Sequence, residues 1–378
     1  MATVLVGGDL CPGGINGPLM ERGDGAALLH DLEAEFQAAD LVVVNLECPL
    51  IREETPAEKC GPVLGASVAC AHGLRAMGVD VAGLANNHVM DHGAAGLRST
   101  MAALKENGIG HVGAGAGLEE ARKILIREAG GMRVGILALA EQEFGMAAPD
   151  KPGANPLDII DAVRTIDANR ERFDHLVVLL HGGNEYYPYP RPGLMETCRF
   201  LVEQGAGAVL CQQSHCTGCM EVHQGAPIVY GQGNLLFDYP SHSPGWHEGL
   251  LIGLEPGPGG RFGFRLIPVL QSDGGPGLRR MPADDEAAFL DGSHERSRAI
   301  GDPAFVAARW AEFVRANERY YLDRMQGNPG VVRRLARWWN ARCFLGSRRV
   351  NRQRLNLIRC ESHREALIEA LTKATEKR

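Results

Sequence analysis

The stretch Gly83-Leu-Ala-Asn-Asn-His-Val-Met-Asp91 decides how this chain is read. A helical pattern over 67–77 precedes it, and a short apolar run over 79–84 leads into it. An apolar run after a helical pattern predicts a buried parallel strand. Asn86, Asn87, His88 and Asp91 then fall where that strand ends. In open α/β sheets, ligands bind beyond the carboxyl ends of the strands. Two amides, an imidazole and a carboxylate so close together can hold a metal, donate a proton and orient one another. Taken alone, the stretch reads equally well as a polar turn, because Asn is a common turn residue. What ends the other strands decides between the two.

Working outward, the same pattern recurs. Residues 3–6 predict a strand ending in Gly7-Gly8-Asp9, and 40–46 a fully buried one ending in Asn45-Leu-Glu47. The run 175–180 ends in His181-Gly-Gly-Asn-Glu185, and 208–211 ends in Gln212-Gln-Ser-His215. A last short strand, 228–230, ends in Gly231-Gln-Gly-Asn234. Each polar group alone is an ordinary turn or cap residue. Together they repeat one arrangement, an apolar strand followed by oxygen or imidazole donors. Mixed Asp, Glu, Asn and His donors suit a pair of Mn, Fe or Zn ions, and a carboxylate between two such ions is the usual bridge for activating water. No Gly-x-Ser-x-Gly elbow and no phosphate-binding P-loop is present. The glycines of 113–117 lack the spacing of a dinucleotide fingerprint and read as a turn.

Between these strands, helices are expected over 26–38, 94–106, 158–173 and 193–204. A hairpin is expected from 123–127 and 132–140, a loop over 145–157, and an antiparallel pair from 249–254 and 262–269. Tyr186 opens a Tyr- and Pro-rich loop that reads either as a substrate contact or as a stiff surface loop. Residues 273–283 are rich in Gly, Pro and Asp, a linker signal. Helices follow over 303–325, 331–345 and 361–376, and 333–352 is a basic amphipathic segment suited to a membrane surface, a partner or the main domain. The expected organisation is thus an α/β domain over 1–272 and a helical extension over 284–378.

The composition fits this. The chain has 378 residues, 45% of them hydrophobic, and a formal charge of -7. That mild acidity argues against nucleic acid as a partner. The first strand begins at once, with no secretory signal and no apolar run long enough to span a bilayer, which places the expected location in the cytoplasm, at most peripheral to a membrane complex. The 10 cysteines form no framework, so free thiols are expected, with Cys211, Cys216 and Cys219 as incidental thiols rather than a zinc site.

The ordered set Gly8-Asp9, Asn45-Leu-Glu47-Cys-Pro49, Ala85-Asn-Asn-His-Val-Met-Asp91-His-Gly93, His181-Gly-Gly-Asn-Glu-Tyr186, Gln213-Ser-His215 and Tyr230-Gly-Gln-Gly-Asn234 resembles the CapA family of capsule and poly-γ-glutamate synthesis. The resemblance runs over about 3–240 and leaves the C-terminal hundred or so residues uncovered. It implies a layered αββα sandwich of the metallophosphoesterase kind, and a metal-dependent hydrolase acting on a phosphoester or polymer-linked bond. The alternative it leaves is a non-catalytic, polymer-binding accessory of capsule assembly, working beside membrane-associated synthesis proteins. It further implies a divalent metal, two ions in its fullest form, held by Asp9, Glu47, Asn87, His181 and His215. His88 takes the place of general acid with Asp91 beside it. Asn45, Asn86, Glu185, Tyr186, Gln213 and Asn234 support the site or contact substrate. Gln213 stands where the family usually has an imidazole.

Overall fold

The computed structural model describes residues 3–239, 241, 243–326 and 348–376. Two sheets lie back to back. The first has eight strands, with Val4–Cys11 near its centre. That strand pairs in parallel with Leu41–Leu46 and Asn234–Phe237, and antiparallel with Glu248–Pro256. Leu41–Leu46 passes the parallel order to Val81–Gly83, and that strand to Gly110–Val112. The second sheet has six strands and is centred on His175–His181, which runs parallel to both Met132–Ala140 and Ala208–Gln212.

Alternation of side chains across each strand builds the layers. Val4, Val6 and Val43 point inward and meet Val177, Leu179 and Leu210 of the other sheet. Leu5, Val42 and Val44 point outward, against Leu28, Leu74 and Leu97 of the covering helices. Val178, Leu180 and Val209 face outward on the far side, against Ile166 and Leu201. Both faces of the central strands are therefore dry, which is why these strands are continuously apolar rather than alternating. The result is an αββα sandwich in which the carboxyl ends of the parallel strands open toward one edge.

Salt bridges tie the outer helices to the sheets. Arg199, on helix Pro192–Glu203, reaches Glu221 on the edge strand Met220–His223 at 2.7 Å, and the Tyr230 hydroxyl donates to the same carboxylate at 2.5 Å. Burial pushes the Glu221 carboxyl up, but these two partners outweigh it and hold it below the usual range. A lowered folded pKa means stability that is present above the unfolded value and lost as pH falls through the folded one. Glu221→Gln is expected to cost about 1–2 kcal/mol at pH 7. In urea titrations the difference from wild type should shrink as pH falls below the ordinary carboxylate range. A difference that stays constant with pH would show that ionisation of Glu221 has no part in it.

Three expectations need correction. The single helix expected over 26–38 is broken into Gly25–Leu29, a 3-10 turn at His30–Leu32, and Glu33–Ala38. The break falls at His30, whose φ of 46° no α-helix accommodates and whose ring meets the Pro276 carbonyl at 3.1 Å. The stretch 273–283 contains a strand, Leu278–Arg280, paired antiparallel with Phe262–Gln271. Its glycines and proline make a hairpin turn inside the sheet. The loop over 145–157 likewise contains a two-residue strand, Gly153–Ala154, paired with Ala114–Gly115.

Beyond the sheet, helices Ala283–Ala299, Pro303–Gln326, Arg348–Arg359 and Glu361–Glu376 follow. The helix expected over 331–345, and most of the basic segment 333–352, lie outside the described residues. Trp310, Val314, Tyr321, Leu357, Leu367 and Ala370 form a small core of their own, into which Tyr187 inserts from the α/β body. No helix among the described residues is long and apolar enough to cross a membrane.

Candidate metal centre and its cleft

Asp9 owes its position to an irregularity at the end of its strand. The pairing with Leu41–Leu46 shifts register between Gly7 and Asp9, so that Asp9 comes level with Asn45. Gly8 is required there, because a Cβ would run into the Gly233 carbonyl of the neighbouring strand end. Asp9 Oδ1 accepts from Asn45 Nδ2 at 2.7 Å, and Asp9 Oδ2 accepts from the Gln213 backbone N–H at 2.9 Å. Asn86 Nδ2 donates to the Leu46 carbonyl at 2.9 Å and to Asn45 Oδ1 at 3.3 Å. The two asparagines therefore brace the strand ends against each other.

Around these braces the donors gather. Asp9, Glu47 and His215 each offer a ligand atom within 4.8 Å of the others, and all three are buried. His181 lies beside them, its Nε2 3.4 Å from Glu47 Oε1 and 3.2 Å from Asn87 Oδ1. Both Glu47 oxygens and Gln213 Oε1 are buried without a hydrogen-bond partner. A carboxylate with neither oxygen partnered is costly to bury. Burial and the neighbouring Asp9 charge push the Glu47 carboxyl well above its usual range. The donor set is hard oxygen with imidazole, which suits Mn, Fe or Zn. The residues present therefore fit a divalent cation.

One imidazole, His215, is oriented for it. His215 Nδ1 donates to Asn234 Oδ1 at 3.0 Å, and Asn234 is itself fixed by donating to the Trp246 carbonyl. This leaves His215 Nε2 with its lone pair on the Glu47 side. Burial lowers the basicity of His215, but the Glu47 and Asp9 charges outweigh it and raise the ring above the usual value. His181 is pushed the other way by burial.

His88 and Asp91 form a separate pair. His88 Nδ1 donates to Asp91 Oδ2 at 2.6 Å, which leaves Nε2 toward the cleft. Asp91 itself does not line the cleft, and it also accepts from the Leu64 N–H at 2.7 Å. Burial holds His88 below the ordinary imidazole value.

Two participants escaped the sequence reading. Lys59 is buried, with Nζ 2.5 Å from Asp91 Oδ1 and donating to the Asn87 carbonyl at 3.1 Å. Nothing in the Pro- and Gly-containing loop around it signals that role. The second is the stretch Glu141-Gln-Glu143. It follows strand Met132–Ala140, at a strand end like the others, and that placement was the available signal. Glu143 Oε2 accepts from Asn87 Nδ2 at 2.6 Å. Burial pushes the Glu143 carboxyl up, yet His363 and the two amides on it bring it down to about 2.

Above the donors is a cleft of about 510 Å³. Glu185 and Tyr186 stand exposed at its mouth, Tyr186 being 44% accessible. Trp246 and Phe237 pack on the His215 ring at 5.3 and 5.2 Å between centroids. The opposite wall comes from the C-terminal helices, with Phe313, Asn317, Tyr320, Arg324, Asn356 and His363. The Arg324 guanidinium lies 3.5 Å above the Tyr320 ring. Cys216 and Cys219 are buried thiols, pushed up to about 12 by that burial.

Two sheets back to back form a layered αββα fold, with carboxylates, imidazoles and amides gathered toward the carboxyl ends of its parallel strands. The chain belongs to the bacterial capsule synthesis protein PGA_cap family, whose model matches residues 3–239. The capsule biosynthesis protein CapA of Bacillus anthracis is 26% identical over 246 residues, which cover 62% of this chain and 60% of that one. A probable polyglutamine synthesis accessory protein of Mycobacterium tuberculosis is 29% identical over 256 residues, 62% of this chain and 67% of that one. Among solved structures, a 5'-nucleotidase precursor of Thermus thermophilus is similar at a TM-score of 0.44 and 14% identity, over 71% of this chain and 54% of that one. The helices after residue 283 lie outside the family match.

Proposed function

We propose that this protein is a metal-dependent, phosphoesterase-like hydrolase working in capsule, poly-γ-glutamate or exopolysaccharide biosynthesis. The observation that carries the reading is Glu47, with two buried, unpartnered oxygens among Asp9, His181 and His215. Asp9, Glu47, Asn87, His181 and His215 would hold the metal. A divalent ion held there would supply Lewis-acid polarisation of a phosphoryl oxygen and lower the pKa of a bound water. The chain's own residues do the rest. Asn45 and Asn234 fix Asp9 and His215. Lys59 and Asp91 hold the His88 ring with Nε2 toward the cleft, from where its imidazolium form would pass a proton to the leaving oxygen. Arg324, stacked on the Tyr320 ring, and Lys59 line the cleft and would meet an anionic substrate.

The test is metal analysis of the purified full chain, followed by a screen of phosphomonoesters and phosphodiesters with added Mn²⁺. Hydrolysis that disappears in Asp9→Ala is the expected result. Metal binding without hydrolysis of any ester would favour the second reading, a polymer-binding accessory of capsule assembly. Gln213 supports that second reading, since an amide stands where the family usually has an imidazole.

Gln213 gives a further expected result. An imidazole is a better donor to Mn, Fe or Zn than an amide oxygen. Gln213→His should tighten metal binding about tenfold, or about 1.4 kcal/mol, with higher metal content as purified. Unchanged affinity would mean that Gln213 Oε1 lies outside the coordination sphere.

A further inference from the structure

We propose that the C-terminal helices complete the metal centre, with His363 and Asn356 clamping Glu143 so that Glu143 fixes the Asn87 amide for metal binding. The inference rests on the metal reading above and concerns residues outside the family-matched segment.

An asparagine side chain is a useful metal ligand only when its oxygen is turned toward the ion. Its two ends are nearly the same size, so hydrogen bonds to the NH₂ end must choose the orientation. Glu143 makes that choice here. Its Oε2 accepts from Asn87 Nδ2 at 2.6 Å, which turns Asn87 Oδ1 toward His181 Nε2, 3.2 Å away. Partners of a ligand's far side tune metal affinity in this way.

Glu143 would not hold the geometry unaided. It sits in the short loop after strand Met132–Ala140, where the backbone is irregular. Its other oxygen, Oε1, accepts from Asn356 Nδ2 at 3.2 Å and lies 3.6 Å from His363 Nε2. Asn356 is on helix Arg348–Arg359 and His363 on helix Glu361–Glu376. The same loop is bound at its other residues. Glu141 Oε2 accepts from the Ser362 N–H at 3.1 Å, and the Gln142 N–H donates to Glu361 Oε2 at 2.7 Å. All three residues of the loop are thus read by one junction, 356–363. A helical add-on of purely structural purpose needs only the apolar contacts around Trp310 and Leu357. It does not need three consecutive polar bonds to the loop that orients a metal ligand.

The experiment is Mn²⁺ binding to the full chain, by calorimetry and by the electron paramagnetic resonance signal of bound Mn²⁺. Wild type, Glu143→Ala, His363→Ala, His363→Gln and Leu357→Ala are compared, with circular dichroism and melting recorded for each. Glu143→Ala and His363→Ala should weaken binding about 10- to 100-fold, the usual cost of losing a ligand's supporting partner. His363→Gln, which keeps a donor toward Glu143, should recover part of the loss. Leu357→Ala removes packing from the same helices without touching Glu143, and should lower the melting temperature while leaving Mn²⁺ affinity near wild type. Equal loss of affinity in Leu357→Ala and His363→Ala would overturn the clamp in favour of general docking. So would wild-type affinity in both Glu143→Ala and His363→Ala. If wild type and Asp9→Ala alike fail to bind Mn²⁺, it is the metal reading itself that falls.

Discussion

Glu47→Gln is expected to weaken divalent-metal binding at least 100-fold while making the metal-free protein more stable. Both effects follow from one carboxylate. Its oxygens are buried and unpartnered, and Asp9 lies close enough to push its carboxyl well above the usual range. In the absence of metal this is a carboxyl whose ionised form burial and the Asp9 charge disfavour. A neutral amide of the same shape removes the charge, and a gain of about 1 kcal/mol or more is expected. With metal present the sign reverses. The site would lose a charged ligand, and a 100-fold loss of affinity corresponds to about 2.8 kcal/mol. Calorimetry with Mn²⁺ reads the first effect, and urea unfolding in chelator reads the second. A variant less stable than wild type in chelator, yet still binding Mn²⁺ normally, would show that Glu47 is satisfied in some other way.

The second large effect lies where the C-terminal helices dock. Arg191 is only 4% exposed and joins Glu141 at 2.5 Å with Glu365 on helix Glu361–Glu376. Burial lowers the basicity of the guanidinium, but the two carboxylates outweigh it and raise it. Arg191→Ala leaves both carboxylates without their cation and should cost about 3–5 kcal/mol. The loss should appear as undocking of the helices beyond residue 300, read by proteolysis there before the α/β body is cut. Arg22→Ala, which removes an exposed partner of Asp24, should leave stability unchanged within error. Equal effects of the two substitutions would mean that Arg191 does not hold the helices.

How much of this was legible in the sequence follows from where the information lies. The parallel strands were readable because both faces are buried, and continuous apolar runs such as 41–46 and 175–181 have few other readings. The clustering of Asp9, Glu47, Asn87, His181 and His215 was readable because a strand has one carboxyl end and each lies at or near such an end; that they hold a metal is the proposal made above. Local turn chemistry was less readable. The glycines of 273–283 indicate a turn but not whether a strand follows, and only the buried Leu278 and its pairing with Gln271 show that one does. The break at His30 depends on the Pro276 carbonyl, 246 positions away. Lys59 was hidden for the same reason, while Glu141 and Glu143 were marked only by their place after a strand and not by their partners. Each is defined by a partner far along the chain, such as Asn356 for Glu143, separated by 213 positions. No periodicity encodes such a pairing.

Metal binding by the purified protein tests the central claim most directly. After chelation and dialysis, wild type and Asp9→Ala are titrated with Mn²⁺ in a calorimeter. Saturable binding of at least one ion per chain by wild type, abolished in Asp9→Ala, is the predicted result. No saturable binding by wild type, or the same isotherm for both proteins, would contradict it.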